Sequence, residues 1–292
     1  MFITKAVIPA AGLGSRFLPF TKSVPKEMLP LLNRPAIQYI VEEGLSSGIA
    51  HFNIVVSDEK ETLRHYFQKT PKLTASLIKN NKESLIESIN TLIDRVQIDY
   101  VKQPEPLGLG HAILMAKQNI GSEYFGILLP DDIIFGNTPA LKQLAEVAQK
   151  HQASVIAVQE MPKEHISAYG VIAPKEQIDA HNWVVDYVVE KPKPEDAPSN
   201  LAVIGRYIFS PALFNAIESI EPALNGEIQL TDAIDYMIRN GHKVIAHKFE
   251  GTRYDLGIPL GWLQANIHLG LKNPTFNDAI TRILQEQMHL CQ

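Results

Sequence analysis

The stretch KAVIPAAGLGSRFLP, residues 5–19, decides the fold because it joins a buried strand to a glycine-rich turn. Its apolar start, Ala-Val-Ile, is typical of a strand covered on both faces. The glycines that follow, Gly12 and Gly14, let the backbone approach a ligand closely, and successive N–H groups in such a turn can bind an anion. Arg16 adds a planar guanidinium that suits phosphate oxygens. The pattern favours a phosphate ligand, although similar turns also occur without one.

Two known phosphate-binding loops are excluded by counting from Gly12. A Walker loop requires its second glycine five residues later, where Phe17 stands, and the dinucleotide pattern G-x-G-x-x-G requires a glycine at the same place. Two lysines, Lys22 and Lys26, stand close to the glycine turn in the sequence. We therefore expect a polyphosphate to be bound by a loop of another kind.

The composition is that of an ordinary globular protein, with 292 residues, of which 45% are hydrophobic and 20% charged. The net charge of -5 argues against a nucleic-acid-binding surface. The single cysteine, Cys291, excludes a disulfide within one chain and a cysteine-based metal site. No signal-peptide pattern precedes the first strand, and no apolar run approaches the ~20 residues that span a bilayer. We expect a cytoplasmic protein with no nucleic-acid or membrane partner.

Apolar runs alternate with helix-like stretches through the first half, whereas the middle of the chain is rich in strands. The predicted strands are 5–9, 52–57, 97–102, 125–129, 154–159, 170–173, 184–190, 202–209 and 243–248. The predicted helices are 35–47, 60–67, 110–119, 139–150, 211–218, 231–239 and 260–269. This alternation predicts an α/β, Rossmann-like fold with a mixed, mainly parallel twisted sheet flanked by helices.

We predict a single domain over residues 1–270, interrupted by an irregular polar insertion at about 69–95 that contains a helix over 82–94. Residues 271–292 form a predicted C-terminal helical tail with an amphipathic pattern. Such a helix would pack either on the body of the protein or on a second subunit. No internal repeat is visible in the sequence.

Paired acids end one apolar strand and predict a metal site. In the motif LPDD, Asp131 and Asp132 follow the strand at once, and carboxylates of this kind are oxygen ligands suited to Mg²⁺. A later acid, Asp255, stands shortly before a glycine in RYDLG. It is a candidate metal ligand only as a partner of Asp131. Acids that merely cap a turn would produce the same local patterns.

Three further segments have the composition of ligand-binding loops. In QPEPLGLGHA a rigid Pro/Gly turn follows a strand, and Gln103 could contact a base edge through its amide, although a simple connector is equally consistent. His111 in this segment has no assigned role. The motif AYGV places Gly170 in a strand, where a ligand can approach. In VEKP, Glu190 would suit sugar hydroxyls and Lys191 a phosphate, unless the two form only an exposed ion pair.

These motifs, in this order and spacing, resemble those of the sugar-nucleotide pyrophosphorylases, a group of sugar nucleotidyltransferases. The resembling residues are PAAGLGSRFLP, PKEMLP, QPEPLGLGHA, LPDD, AYGV, VEKP, NLAVIGRY, GEIQLTDAI and RYDLG. The first motif is widely shared, whereas the combination of the others is more specific. Two departures, Ser15 for the usual Thr and Phe20 for a smaller residue, remove neither a charge nor a glycine.

The resemblance implies that UTP reacts with α-D-glucose 1-phosphate to give UDP-glucose and pyrophosphate, with Mg²⁺ as cofactor and a nucleotide-diphospho-sugar transferase fold. The residues implied in nucleotide binding are Ala10, Ala11, Gly12, Gly14, Glu27, Gln103 and Gly108. Those implied in catalysis are Arg16, Lys26, Asp131 and Lys191. Those implied in sugar-phosphate binding are Asp132, Gly170, Glu190 and Lys191, and the implied metal ligands are Asp131 and Asp255. We also expect a homo-oligomer, either a dimer or a tetramer.

Three other functions remain open on the sequence alone. A related pyrophosphorylase would use dTTP or ATP in place of UTP. A non-catalytic nucleotide-sugar sensor would be a degenerate relative, but the charged residues of the motifs, among them Arg16, Lys26 and Asp131, are all present. An NAD-dependent dehydrogenase is disfavoured because the third glycine of its fingerprint is missing.

Overall fold

A nine-stranded mixed sheet forms the centre of the structure, a computed structural model that describes residues 3–57 and 60–290. The strands are β1 Lys5–Pro9, β2 Pro30–Leu31, β3 Arg34–Pro35, β4 His51–Val56, β5 Gln97–Lys102, β6 Phe125–Leu128, β7 Asp132–Phe135, β8 Ser154–Glu160, β9 Gly170–Gln177, β10 Asn182–Glu190, β11 Leu201–Phe209, β12 Val244–Lys248 and β13 Thr252–Asp255. The helices are α1 Ala36–Ser46, α2 Glu61–Tyr66, α3 Pro71–Lys79, α4 Glu87–Arg95, α5 Gly108–Met115, α6 Lys117–Ile120, α7 Ala140–His151, α8 Ala212–Ser219, α9 Leu230–Arg239, α10 Pro259–Lys272 and α11 Asn277–Leu290.

The strand order of the main sheet is β5-β4-β1-β6-β11-β8-β12-β10-β9. The first four strands run parallel to one another, and β8 runs parallel to β12. The pairs that β11 forms with β6 and β8, and those that β10 forms with β9 and β12, are antiparallel. The predicted α/β fold with a mixed sheet is therefore confirmed.

The sheet is covered on both faces because alternate side chains of its inner strands enter different hydrophobic clusters. In β1, Ala6 and Ile8 pack in one cluster with α1 and α7, while Val7 packs in the other with α5, α8 and α9. Every residue of β11 is buried. The continuous apolar runs that predicted these strands thus reflect burial on two faces rather than one.

Local differences from the predicted elements occur where tertiary contacts decide the structure. The predicted helix over 110–119 is split between α5 and α6, and the one over 82–94 is a short 3₁₀ turn, Glu83–Leu85, followed by α4. The short strands β2, β3, β7 and β13 were not predicted. β7 pairs with β13 in a separate two-stranded sheet, which joins residues about 120 positions apart and has no local signal.

The C-terminal helices pack against each other. Helix α10 continues to Lys272, and a methyl group on Gly270 would lie 2.1 Å from Ile280 of α11, so the glycine lets the two helices approach. No residue of α11 is buried. The division into a domain over 1–270 and a tail over 271–292 stays a prediction, and its outermost residues, 1–2 and 291–292, lie outside the described residues. Within the described ranges, every helix is too short or too polar to span a bilayer.

Candidate active site

The candidate site lies beside β1, at the point where the order of the strands reverses. From β1 the chain proceeds outward through β4 to β5 and then returns to β6 on the other side of β1. Because β1 and β6 are parallel, their carboxyl ends share one edge, and the loops that leave them in opposite directions open a crevice there. The glycine turn follows β1, and the acids of LPDD follow β6.

Two adjoining cavities, of about 480 and 310 Å³, form the cleft at this edge and share Asp131, Glu190 and Lys191 in their walls. We call the first the glycine compartment; it is lined by residues that include Ala11, Gly12, Gly14, Lys26, Gln103 and Gly108. We call the second the Tyr169 compartment; it is lined by residues that include Arg16, Asp132, Tyr169, Gly170, Thr231, Arg253 and Asp255. One continuous set of walls therefore carries most of the predicted side chains.

The glycine turn has the geometry that its sequence predicts. Gly14 has a φ of +66°, and a methyl group there would lie 3.1 Å from carbon atoms of Lys26 and Thr21. The Thr21 hydroxyl donates a hydrogen bond to the Gly14 carbonyl at 2.8 Å. At Gly12, by contrast, a methyl group would meet nothing within 4 Å. The turn is thus held from behind by side chains, while its Gly12 backbone stays open to the cleft.

A buried ion pair that the sequence did not predict lies behind this turn. The Lys60 ammonium donates to the Glu27 carboxylate at 2.8 and 3.1 Å and to the Gly12 carbonyl at 2.7 Å. Glu27 is 1% exposed and Lys60 7% exposed. Burial raises the pKa of Glu27 and lowers the pKa of Lys60, and the attraction between the two charges opposes both shifts. Lys60 therefore ties the glycine turn to the PKEMLP segment.

Asp131 and Lys26 form a second ion pair, at the wall of the cleft. The Lys26 Nζ lies 2.5 Å from the Asp131 Oδ2. Burial by itself would raise the pKa of Asp131, but the Lys26 ammonium outweighs it and holds that pKa below its ordinary value. Burial likewise works to lower the pKa of Lys26, while Asp131 and Glu27 reverse the shift and raise it. Both groups are therefore charged at neutral pH.

The two-stranded sheet brings Asp255 to Asp131. The register of β7 and β13 sets Asp255 opposite Asp132, the residue after Asp131. A methyl group on Gly257 would lie 2.8 Å from the Asp255 Oδ1, 3.3 Å from the Arg16 Nη1 and 3.6 Å from the Asp131 Oδ2. Two carboxylates and one guanidinium thus lie close to Gly257, a buried residue whose missing side chain lets them approach one another.

This donor set fits a divalent cation that binds phosphates at the same time. No group of three or more His, Cys, Asp or Glu side chains arranged for a metal occurs within residues 3–57 and 60–290. Mg²⁺ needs no such group, because it is typically bound through one or two carboxylates and completes its shell with water and substrate phosphates. Asp131 and Asp255 meet that requirement at the edge of the cleft.

Asp132 has a different environment from that of Asp131, although the two residues are adjacent. Its Oδ1 accepts a hydrogen bond from the Arg253 Nε at 2.5 Å, and its Oδ2 accepts one from the Gly205 N–H at 2.8 Å. Burial raises the pKa of Asp132, and the Arg253 guanidinium partly opposes that shift. A methyl group on Gly205 would lie 2.5 Å from the Asp132 Oδ2. Both carboxylate oxygens are therefore already held by the protein.

The strand-rich half of the chain supplies the other wall of the cleft. The Thr231 hydroxyl donates to the Glu190 Oε2 at 2.9 Å, and a methyl group on Gly170 would lie 2.6 Å from the Thr231 Cγ2. The Lys191 Nζ lies 2.9 Å from the Glu190 Oε1, and 58% of the Lys191 side chain is exposed. Lys191 also has a φ of +44°, an unusual conformation for a residue with a side chain. Its N–H donates to the Tyr169 carbonyl.

Gln103 lies at the end of β5, where the QPEPLGLGHA segment turns into α5. It is 7% exposed, and its Nε2 lies 3.2 Å from the Gly108 carbonyl and 3.1 Å from the His111 Nδ1. Gly108 has a φ of +92° and packs against Glu227 and Ile228. Gln103 and Gly108 thus lie together in the wall of the glycine compartment, and their contact with a base stays a prediction.

The structure brings together in the cleft nearly all of the residues predicted for the site. The residues in its walls are Ala11, Gly12, Gly14, Arg16, Lys26, Gln103, Gly108, Asp131, Asp132, Gly170, Glu190, Lys191 and Asp255. Ala10 and Glu27 lie behind the walls, because both are buried and the Ala10 N–H already donates to the Val55 carbonyl. Their predicted contact with a nucleotide is not visible in this arrangement and stays a prediction.

Several charged and polar residues of the site escaped the sequence reasoning. Arg253 and Thr231 stand inside the motifs RYDLG and GEIQLTDAI, so their place in the cleft had a signal in the sequence. Lys60 had none, because it stands at the start of an ordinary helix-like stretch, residues 60–67, and lies just before α2 in the structure. Arg206 is wholly buried and binds Glu43, so it belongs to the support of the cleft and not to its walls.

The sequence matches the family model described as "Nucleotidyl transferase" over residues 5–270, which includes the cleft from Ala11 to Asp255. The chain belongs to the nucleotidyl transferase family. Members of this family generally use a divalent metal ion, in keeping with the carboxylates of Asp131 and Asp255.

Relatives of this nucleotidyl transferase are similar over nearly their whole length. The chain is 45% identical over 284 residues to the UTP–glucose-1-phosphate uridylyltransferase of Staphylococcus haemolyticus, covering 97% of this chain and 98% of that protein. It is 41% identical over 283 residues to the enzyme of the same name from Bacillus subtilis, covering 97% and 96%. A structure of the UTP-bound UGPase from Acinetobacter baumannii has a TM-score of 0.90 at 35% identity, covering 98% and 99% of the two chains.

Proposed function

We propose that this nucleotidyl transferase transfers a uridylyl group from UTP to α-D-glucose 1-phosphate and releases pyrophosphate. The observation that carries the proposal is the proximity of Asp131, Asp255 and Arg16 in the walls of the two adjoining compartments, which Lys191 also lines. Two polyanionic substrates need such a combination of metal-binding carboxylates and cations where they meet. The similarity to proteins named UTP–glucose-1-phosphate uridylyltransferase supports UTP and glucose 1-phosphate as the pair.

In this proposal the glycine compartment takes the nucleotide. The open backbone of Ala11, Gly12 and Gly14 would cradle the triphosphate, and Arg16 and Lys26 would offset its charge. Gln103 and Gly108 would contact uracil. Ala10 and Glu27, which lie behind the wall, would act through the position of the turn and of Lys26 rather than by touching the ligand.

The Tyr169 compartment takes the sugar phosphate. Glu190, held by Thr231, would accept hydrogen bonds from sugar hydroxyls, and the exposed Lys191 ammonium would pair with the phosphate. Gly170 lines this compartment, and its missing side chain makes room for Thr231, which holds Glu190 toward the sugar. Asp132 would lie near the sugar, and its carboxylate would hold the Arg253 guanidinium in place.

The reaction needs no general base, because the attacking phosphate oxygen is already ionised at neutral pH. That oxygen forms a bond to the α-phosphorus of UTP as the bond from the α-phosphorus to the bridging oxygen breaks, and pyrophosphate leaves in line. The barrier comes largely from the repulsion of the two anions, which Arg16, Lys26 and Lys191 reduce. Positioning of the two substrates can contribute about 7–11 kcal/mol.

We propose that the divalent ion is Mg²⁺, held by Asp131 and Asp255. When bound, it would add positive charge beside the triphosphate and help to orient it. The expectations of a homo-oligomer and of a cytoplasmic location stay predictions.

An assay of the purified protein with each nucleoside triphosphate, glucose 1-phosphate and Mg²⁺ tests the proposal. We expect UDP-glucose and pyrophosphate from UTP, with a much lower kcat/KM for dTTP, ATP, CTP and GTP. A higher kcat/KM with dTTP or ATP would make the protein a related pyrophosphorylase with a different nucleotide. Binding of UDP-glucose without turnover of any nucleotide would instead support the sensor.

A further inference from the structure

The side-chain amide of Gln103 has a defined orientation, which can be read from its neighbours. Its Nε2 lies 3.2 Å from the Gly108 carbonyl oxygen, an atom that can only accept a hydrogen bond. The NH₂ end of the amide therefore has to face Gly108. The same Nε2 lies 3.1 Å from the His111 Nδ1, so this ring nitrogen must accept as well, and the ring proton sits on Nε2.

This orientation leaves the Gln103 Oε1 to the ligand. Gln103 lines the glycine compartment, and no donor within residues 3–57 and 60–290 forms a hydrogen bond with its Oε1. A carbonyl oxygen without a hydrogen bond from the described residues, on a side chain in the wall of the compartment, favours a ligand that brings its own N–H group.

The acceptor at Gly108 is held rigidly in place. Gly108 needs its φ of +92°, and a methyl group there would lie 2.8 Å from the Glu227 Cβ. Two backbone hydrogen bonds of 2.8 Å brace the surrounding turn, from the Ile228 N–H to the Leu107 carbonyl and from the Gly110 N–H to the Ile228 carbonyl. The Gly108 carbonyl alone fixes one of the two amide hydrogens, and His111 is positioned to fix the other.

We propose that His111 is a positioning residue that selects the nucleobase, because it holds the Gln103 amide with its oxygen toward the ligand. Uracil presents a ring N3–H to such an oxygen, whereas the N3 of cytosine is an acceptor and would leave two acceptors facing each other. The inference rests on the proposed nucleotide site and on the contact of Gln103 with the base. It adds a role for His111, which neither substrate touches.

Two substitutions with opposite hydrogen-bonding character test this role. In His111→Lys the only available group is a donor, which attracts the Gln103 oxygen and turns the amide, so its NH₂ end faces the base. We expect the ratio of kcat/KM for UTP to that for CTP to fall roughly 10- to 100-fold, since one unpaired buried polar group has about that effect. His111→Gln keeps an acceptor oxygen within reach and should keep the ratio within about threefold of the wild type.

The KM for glucose 1-phosphate and the UTP/CTP ratio together distinguish a failure of the His111 role from a failure of the proposed function. The KM for glucose 1-phosphate should stay the same in both variants, because His111 is in neither compartment's wall and contacts Gln103 of the glycine compartment. If the Lys variant does not fold, His111→Phe removes the acceptor without adding a charge, and it should lower the ratio by a smaller factor. An unchanged UTP/CTP ratio in the folded Lys or Phe variant would overturn the role of His111.

A nucleotide analogue tests the contact of Gln103 separately. UTP methylated at N3 has no N3–H, and we expect it to be a poor substrate for the wild-type protein. If the wild type makes UDP-glucose and accepts the methylated nucleotide equally well, the Gln103 oxygen does not face N3 and the inference fails while the activity stands. If the wild type makes no UDP-glucose at all, the proposed function itself fails.

Discussion

The two compartments of the cleft are held in place in different ways. Behind the glycine compartment, Lys60 and Glu27 form a nearly inaccessible ion pair, and Thr21 binds the carbonyl of Gly14. In the Tyr169 compartment, by contrast, Lys191 is 58% exposed, and within the described residues its ion pair is with its neighbour Glu190. The groups behind the first compartment are therefore held by buried contacts, whereas binding of a ligand by Lys191 would order an exposed side chain.

The positions of the two strand ends in the sheet explain why the two compartments are held differently. The glycine turn leaves β1, an inner parallel strand whose neighbours β4 and β6 fix it on both sides. Glu190 ends β10, whose pairing with β12 is confined to residues 182–184, so its last residues lie beside β9 alone, and β9 pairs in turn with β11. A triphosphate with several charges needs many groups fixed at once, and a sugar phosphate with one charged group can be met by one exposed lysine.

The largest effect is expected where the two compartments meet, at Asp131. The substitution Asp131→Asn should lower kcat by at least about 1000-fold, or roughly 4 kcal/mol, because it removes a proposed metal ligand and the partner of Lys26. The fold should persist, as shown by an unchanged circular dichroism spectrum. Asp255→Asn is the matched variant and should also lose most activity. Full activity of Asp131→Asn with Mg²⁺ would contradict the metal role.

The next largest effect should follow loss of the buried pair behind the glycine compartment. Lys60→Met leaves the Glu27 charge buried without its partner, and breaking such a pair typically costs about 3–5 kcal/mol of stability. We expect a lower unfolding temperature in thermal scans. The KM for UTP should rise more than the KM for glucose 1-phosphate, since the Gly12 carbonyl also loses its donor.

A double substitution separates stability from positioning. Lys60→Met combined with Glu27→Met removes both charges and should restore most of the unfolding temperature. The raised KM for UTP should remain, because no donor then holds the Gly12 carbonyl. A double variant that binds UTP as the wild type does would show that the pair serves stability only.

A smaller and more selective effect is expected in the exposed compartment. Lys191→Ala should raise the KM for glucose 1-phosphate roughly tenfold, about 1.4 kcal/mol, and the KM for UTP by much less. Stability should hardly change, because exposed ion pairs such as that with Glu190 contribute little. Lys193→Ala, two residues further on and also exposed, is the control and should leave both KM values unchanged. Equal changes in both KM values would count against the placement of the sugar phosphate.

The sequence predicted the rigid compartment better than the connections behind it. The strand, the glycines and Arg16 of the first turn lie within fifteen residues, so local pattern sufficed to predict their geometry. Asp255 was only a conditional partner of Asp131, because the pairing of β7 with β13 depends on contacts far apart in the sequence. The burial of Lys60 depends on Glu27, which lies 33 residues away, and no local pattern indicates it.

The adjacent acids of LPDD are a second case in which contacts between distant residues, and not the local sequence, decide the environment of a side chain. The sequence alone does not tell the environment of the Asp131 side chain from that of the Asp132 side chain. In the fold, Asp131 meets Lys26 at the cleft, while the side chain of Asp132 binds Arg253 and the Gly205 backbone. The strand that begins at Asp132 separates the two, because alternation along a strand sends successive side chains to opposite sides.

The smallest expected effect is a change of the unfolding temperature with pH. It tests whether Asp131 and Lys26 stay paired as ions across the neutral range. Because the folded protein lowers the pKa of Asp131 below its ordinary 3.8, this carboxylate stabilises the fold above that pH, and the contribution is lost as the pH falls through the lowered value. Lys26, whose pKa is raised above 10.5, contributes at lower pH and loses its contribution only in strong alkali. The difference in unfolding temperature between the wild type and Asp131→Asn should therefore be constant from about pH 5 to 9 and narrow by a few degrees below about pH 4. A difference that changes near pH 7 would mean that another group controls the charge of this pair.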